Sequence, residues 1–163
     1  MDAAEIRRLL DRGGASSAET APTSSAGSVR PSKYSALLDP AGAEKLGIAL
    51  AAVARDIAPS LVVIWEDVED LVLGHIVARE LGLPLVRIYN AEGLAASSSP
   101  IPAKASALLV SDAMPDAGPI RTARALLKQA GGQLLAAALL VGSDSIDGIP
   151  CRSLVRANGA EVP

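Results

Sequence analysis

Ala107-Leu-Leu-Val-Ser-Asp-Ala-Met-Pro-Asp-Ala-Gly-Pro-Ile-Arg-Thr-Ala123 reads as a strand, a turn and a helix. Ala107 to Val110 is an apolar run of strand type. An acidic turn containing Gly118 follows, and a helix starts near Pro119, a residue favoured in the first turn. This is the layout of a phosphate-binding strand–loop–helix, in which backbone N–H groups and a helix N-terminus face an anion. The chemistry of the loop opposes that use. Pro115 and Pro119 carry no N–H, and Asp116 adds a negative charge where hydroxyl donors would help.

Outward from this segment, apolar spacing alternates between strand and helix periods. Residues 2–12 read as a short helix with Ile6, Leu9 and Leu10 on one face, stopped by Gly13-Gly14. Residues 15–31 are small and polar and read as a mobile loop or linker. In 31–39, Tyr34, Ala36 and Leu38 alternate as in a short strand. Leu46, Ala49, Leu50, Val53 and Ile57 place a helix over 41–57, ended by Pro59. Leu61 to Trp65 is a strand apolar enough to be buried on both faces. A helix over 67–81 turns Val68, Leu71, Val72, Ile76 and Val77 inward and closes at Gly82. Pro84 to Tyr89 is the next strand, and 91–105 a loop. After the 119–130 helix, Gly131-Gly132 leads to a strand from Gln133 to Val141, with a final strand over 151–157. The predicted fold is therefore α/β, a three-layer sandwich with a mostly parallel central sheet. Residues 1–30 form an N-terminal helix and flexible linker, and 31–163 the main domain. Such sheets bind ligands at the carboxyl ends of their strands, which selects 65–70, 89–99 and 111–121.

A chain of 163 residues suits a single sizeable core. Half of it is apolar, yet Trp65, Tyr34 and Tyr89 are its only aromatic residues, so Ala, Leu, Val and Ile must build that core. No apolar run approaches the ~18 residues of a membrane span, and the N-terminus lacks a basic region followed by an apolar one. The expected address is cytoplasmic, with no membrane partner. Cys151 is the single cysteine, which excludes an intrachain disulfide and reads as a packing residue. His75 is the single histidine and has no companion with which to build a zinc site. With a net charge of −3 and no basic cluster, nucleic acid is not an expected partner.

Val110-Ser-Asp-Ala-Met-Pro-Asp-Ala-Gly-Pro119 resembles the signature of the type I phosphoribosyltransferases: an apolar strand, two adjacent acids, a Thr/Gly loop and a helix. The orotate phosphoribosyltransferases are the most similar branch. Arg30-Pro-Ser-Lys-Tyr34 is similar to their Ser-Gly-Arg-x-Ser-x-Tyr element, and Leu9-Leu-Asp-Arg-Gly13 to the end of their N-terminal helix. Leu61 to Leu73 stands where their pyrophosphate loop lies, and Leu83-Pro-Leu-Val-Arg87 resembles the strand before their catalytic loop. The resemblance implies a nucleotide or phosphoribosyl ligand, magnesium if the chain is active, and a homodimer or an assembly with an active paralogue. It assigns ligand binding to Ser111, Asp112, Ala113, Met114, Asp116, Ala117, Gly118 and Arg121. Lys33 and Lys104 become the candidate catalytic cations.

Departures from the pattern are specific. Ser111 replaces the first acid, and Pro115, Asp116 and Pro119 replace the loop threonines. The small, uncharged pyrophosphate loop has become Glu66-Asp-Val-Glu-Asp70. Tyr89-Asn90 stands where a lysine is usual, and the mobile loop Ala95 to Pro102 has only Lys104 nearby. Each carboxylate ~6 Å from a phosphate charge costs roughly 2–3 kcal/mol at an effective dielectric near 20. Three readings of the 66–70 cluster stand: first-turn acids stabilising a helix, a divalent metal site from Glu66, Asp67 and Asp70, or residual substrate binding. Asp112 either accepts from ribose hydroxyls, as the resemblance implies, or caps local N–H groups. Arg121 and Arg124 either meet a phosphate or pair with Asp112 or Asp116. The leading functional reading is a fold retained with transferase activity lost or strongly reduced, leaving a weak nucleotide or phosphate binder or a regulatory subunit. The alternatives are an active enzyme of pyrimidine or purine nucleotide synthesis or salvage using phosphoribosyl pyrophosphate and magnesium, and a structural subunit that dimerises through the 41–57 helix.

Overall fold

The computed structural model describes residues 1–13, 35–36, 38–114 and 116–156. The loop or linker expected over 15–31, together with Lys33, Tyr34 and Pro115, lies outside the described residues. Elements run α1 (Ala3–Gly13), α2 (Pro40–Ala54) with a 3₁₀ turn at Arg55–Ile57, β1 (Leu61–Trp65), α3 (Val68–Leu81), β2 (Leu85–Ala91), β3 (Leu94–Ser97), β4 (Ser106–Ala113), α4 (Gly118–Gln129), β5 (Gln133–Gly142), β6 (Ser145–Ile146) and β7 (Ile149–Arg156). One seven-stranded sheet has the order β3-β2-β1-β4-β5-β7-β6. Its five inner strands are parallel, and β3 and β6 pair antiparallel at the two edges.

Strand residues alternate between two cores. Val62, Ile64, Leu108 and Val110 face Leu46, Leu50, Leu73 and Val77 of α2 and α3, where α1 adds Ile6 and Leu9. Leu61, Val63, Ala107 and Leu109 face Ile120, Ala123 and Leu127 of α4. The three expected layers are therefore present: α1 to α3, the sheet, and α4. α3 approaches β1 closely because position 74 has no side chain; a Cβ there would collide with the Cγ2 of buried Ile64. No helix of the described residues is long and apolar enough to cross a membrane.

Several local expectations need correction. Among the described residues of 31–39, Ser35, Ala36 and Leu38 form a turn rather than a strand, with the Leu38 N–H donating to the Ser35 carbonyl. Asp39 then caps α2 by accepting from the Gly42 N–H at 3.0 Å. The inner face of α2 is Ala43, Leu46, Gly47, Leu50, Ala51 and Ala54, whereas Val53 is exposed. In α3, Val68 and Leu71 face outward, while Asp70 lies inside beside Leu73, Ile76 and Val77. The apolar count over 67–81 cannot distinguish these faces, because the hidden polar residue is explained only by what meets it from β4.

Two hairpins add edge strands, one inside the 91–105 segment expected to be loop and one inside 142–150, for which the sequence predicts no element. Glu92 and Gly93 (φ 51° and 85°) join β2 to β3, and Asp147 and Gly148 (φ 51° and 77°) join β6 to β7. Positive φ at both turn residues is the I′ geometry of two-residue hairpins, which glycine adopts without a Cβ penalty.

Candidate functional site

β1 and β4 are neighbours, but the chain leaves β1 through α3 on one face and leaves β4 through α4 on the other. Their carboxyl ends therefore flank a topological switch point, where open α/β sheets hold ligands. A cavity of about 230 Å³ opens there, with Trp65 and Met114 as its larger apolar walls and Asp67, Asp70, Asp112 and Asp116 as its acids. The fold thus brings together two segments more than 40 residues apart in sequence, 65–70 and 111–119.

β4 extends three residues past Val110, so Ser111, Asp112 and Ala113 are strand residues rather than turn residues. β1 stops short of them: Ile64 pairs with Val110, leaving Asp112 beyond the paired stretch. An N–H facing the place where a neighbouring strand has ended needs another acceptor. Asp70, in the first turn of α3, supplies it, and its Oδ1 accepts the Asp112 N–H at 2.8 Å. Both residues are buried, Asp70 at 3% and Asp112 at 6% exposure. Burial pushes the Asp70 carboxyl up from 3.8 to about 7; the Asp112 N–H opposes the shift, and the Asp112 charge adds to it. Near neutrality this carboxyl divides between its acid and carboxylate forms.

Other carboxylates here also take backbone N–H groups. Asp116 Oδ1 accepts from the Gly118 N–H at 2.6 Å, at the start of α4. The formal N-cap, Ala117, makes no side-chain cap, so Asp116 satisfies the loop donor from one residue earlier. Asp67 caps α3 by accepting from the Glu69 N–H at 3.2 Å. Glu66 Oε2 accepts from the Asn90 N–H at 3.0 Å, near the end of β2. Asp112 Oδ1 accepts from the Ala113 N–H at 2.6 Å, and the Ser111 hydroxyl donates to the Ala113 carbonyl at 3.0 Å. Five backbone N–H groups near the strand ends, those of Glu69, Asn90, Asp112, Ala113 and Gly118, are thus engaged by the chain's own acids, and no Lys, Arg or His lines the cavity among the described residues.

Not every predicted residue reaches this place. Arg121 lines a separate groove with Arg124 and Lys128. Arg124 pairs with Asp147 at 3.1 Å rather than with Asp112 or Asp116. Lys104 lies at the amino end of the sheet, where its N–H donates to the Ala130 carbonyl. The eight residues of β4 separate that end from the switch point by about 26 Å. Sequence distance misleads here because β4 intervenes between Lys104 and the switch point. Lys33, the other candidate cation, lies outside the described residues. Glu66, Asp67 and Asp70 do not converge: no group of three or more acidic, histidine or cysteine residues is placed to hold a metal ion among the described residues. Trp65, the last residue of β1, falls in the 65–70 segment selected from strand ends, which assigns it no role of its own; the structure makes it an apolar wall of the cavity.

Solved structures with this architecture are similar across most of the chain. Adenine phosphoribosyltransferase from Rhodothermus marinus superposes with a TM-score of 0.69 at 16% identity, over 95% of this chain and 99% of that one. The chain has the type I phosphoribosyltransferase fold. Purine phosphoribosyltransferase from Pyrococcus horikoshii gives 0.57 at 18% identity over 74% of this chain and 86% of its own. UMP synthase from Leishmania donovani gives 0.69 at 15% identity over 96% of this chain but only 36% of its own. No family model and no curated protein sequence matches the chain.

Proposed function

We propose that this protein retains the phosphoribosyltransferase fold with transferase activity lost or strongly reduced, and serves as a weak nucleotide binder or a regulatory subunit, either as a homodimer or with an active paralogue. One observation carries the reading. At the carboxyl edge of the sheet, Asp70, Asp116 and Glu66 each accept a backbone N–H, which leaves fewer donors there for an anionic substrate. Phosphoribosyl transfer requires a stabilised pyrophosphate leaving group and a positioned ribosyl centre. A cavity with four acids, of which Asp70 is only partly ionised near neutrality, and with no cation among the described residues disfavours that leaving group by several kcal/mol, taking roughly 2–3 kcal/mol for each carboxylate ~6 Å away. Asp112 keeps the place where the resemblance puts an acid against ribose hydroxyls, which supports residual recognition of the sugar. Among the described residues no three acids are placed to hold a metal ion, and no step is assigned to magnesium.

Affinity to the orotate branch rests on the motifs around Arg30 to Tyr34 and Val110 to Pro119. Cytoplasmic residence is the address consistent with a nucleotide-related role. Exposed Ile48 and Val53 on α2 favour a second reading, a dimerisation subunit. Thermal denaturation with phosphoribosyl pyrophosphate and magnesium tests the first reading. No shift at millimolar ligand is expected, with no pyrophosphate released in the presence of orotate or adenine. A shift abolished by Asp112→Asn, accompanied by turnover, refutes it and restores the active enzyme.

A further inference from the structure

A second cavity, of about 550 Å³, runs beside α4 and shares no lining residue with the switch-point cavity. Arg121, Arg124 and Lys128, spaced i, i+3 and i+7, stand along one side of the helix. The first two residues of β5, Gln133 and Leu134, and the β6–β7 hairpin residues Asp147 and Ile149 lie opposite. Leu134 and Ile149 are buried and form an apolar floor. We propose that this groove binds a nucleoside polyphosphate, with the phosphates along α4 and the base against Leu134 and Ile149.

Three features support the assignment. The first is charge. In a chain of net charge −3, three cations share one helix flank. Asp147 neutralises Arg124, through its carboxylate at 3.1 Å and its carbonyl at 3.3 Å. No ion pair forms at Arg121 or Lys128 among the described residues. The second is that helix stability does not account for Arg121. A cation in the first turn opposes the helix dipole; the turn itself contains no acid, and Asp116 just before it bonds to the Gly118 N–H, with no ion pair to Arg121 among the described residues. Lys128, in the last turn, is by contrast explained by the dipole alone. The third is size and chemistry. Arg121 to Lys128 spans about 10 Å along the axis, a length suited to two or three linked phosphates rather than one. The volume falls within the roughly 300–1,000 Å³ of small-molecule sites. The Gln133 amide offers both a donor and an acceptor, as the edge of a base requires.

The test is calorimetric titration of the full chain with ATP and, separately, with inorganic triphosphate, both without added magnesium. ATP is expected to bind saturably and more tightly than triphosphate, which lacks a ring for the apolar floor. Arg121→Gln/Lys128→Gln should weaken ATP by about tenfold or more, since two charge-assisted contacts are removed. Both positions are exposed, so the variant should unfold at or slightly above the wild-type temperature without ligand, which confirms that it is folded. Arg152→Gln, which removes a cation that lines neither cavity and pairs with Asp56, should leave ATP binding unchanged. Absence of saturation at millimolar ATP, equal affinity for triphosphate, indifference to the double substitution, or an equal loss of affinity in Arg152→Gln each overturns the proposal. ATP binding that is indifferent to the double substitution but lost in Asp112→Asn overturns it too, and instead supports the sugar recognition proposed at the switch point.

Discussion

Replacing Asp70 with asparagine removes a charge from the most buried acid of the switch point while keeping an oxygen for the Asp112 N–H. Burial raises the folded-state pKa of Asp70 from 3.8 to about 7. A folded pKa above the unfolded value contributes stability that is fully present below pH 3.8 and is lost as pH rises through 7. At about 1.4 kcal/mol per unit, the whole difference is roughly 4 kcal/mol, and the part lost between pH 5 and pH 8 is about 3 kcal/mol. For a chain of this size that corresponds to roughly 5–10 °C in melting temperature. Urea unfolding at pH 5 and pH 8 gives the measurement, with Asp70→Asn as the control that subtracts all other titrating groups. The wild type should lose stability over this interval relative to the variant, and the variant should be the more stable protein at pH 8. Parallel pH profiles for the two proteins would refute the assignment of a raised pKa to this carboxyl.

Gly74→Ala should destabilise the fold by about 1–3 kcal/mol, because the new methyl meets Ile64 in a core that has no room to yield; unchanged chemical denaturation would contradict that packing. Asp116→Thr should not by itself create affinity for inorganic phosphate, since Asp67, Asp70 and Asp112 still line the cavity; titration calorimetry that detects phosphate binding in this single variant would count against the repulsion account. Lys104→Ala should leave any response to phosphoribosyl pyrophosphate unaltered, because the side chain sits at the opposite end of β4 from the switch point, and a thermal-shift comparison with wild type decides it.

Much of the architecture is legible in the chain because its strands are nearly unbroken apolar runs. Leu61 to Ile64 has no polar face, which leaves burial between two layers as the simple solution. The edge strands are not legible in that way. Leu94 to Ser97 is short and nowhere fully buried, and only the Glu92-Gly93 turn betrays it. Asp147-Gly148 was a stronger cue, since this dipeptide suits an I′ turn. At the site, the grouping of 65–70 with 111–119 follows from the rule about strand ends. The inward orientation of Asp70 does not follow, because it depends on β1 ending before β4 and exposing one N–H. The position of Arg121 beside the second groove is hidden for a related reason. Its nearness in sequence to Asp116 says nothing about which side of α4 it leaves.

Both lateral margins of the sheet end in a short strand that turns back on its neighbour, β3 with four residues and β6 with two. A strand margin is a template on which another chain can add, and long apolar margins are the hazardous ones. Here the strongly apolar strands β1, β4 and β5 are all interior, and what faces outward is brief and ends in tight turns. A protein whose strands are so poor in polar side chains thereby guards itself against intermolecular strand addition through topology rather than through charge.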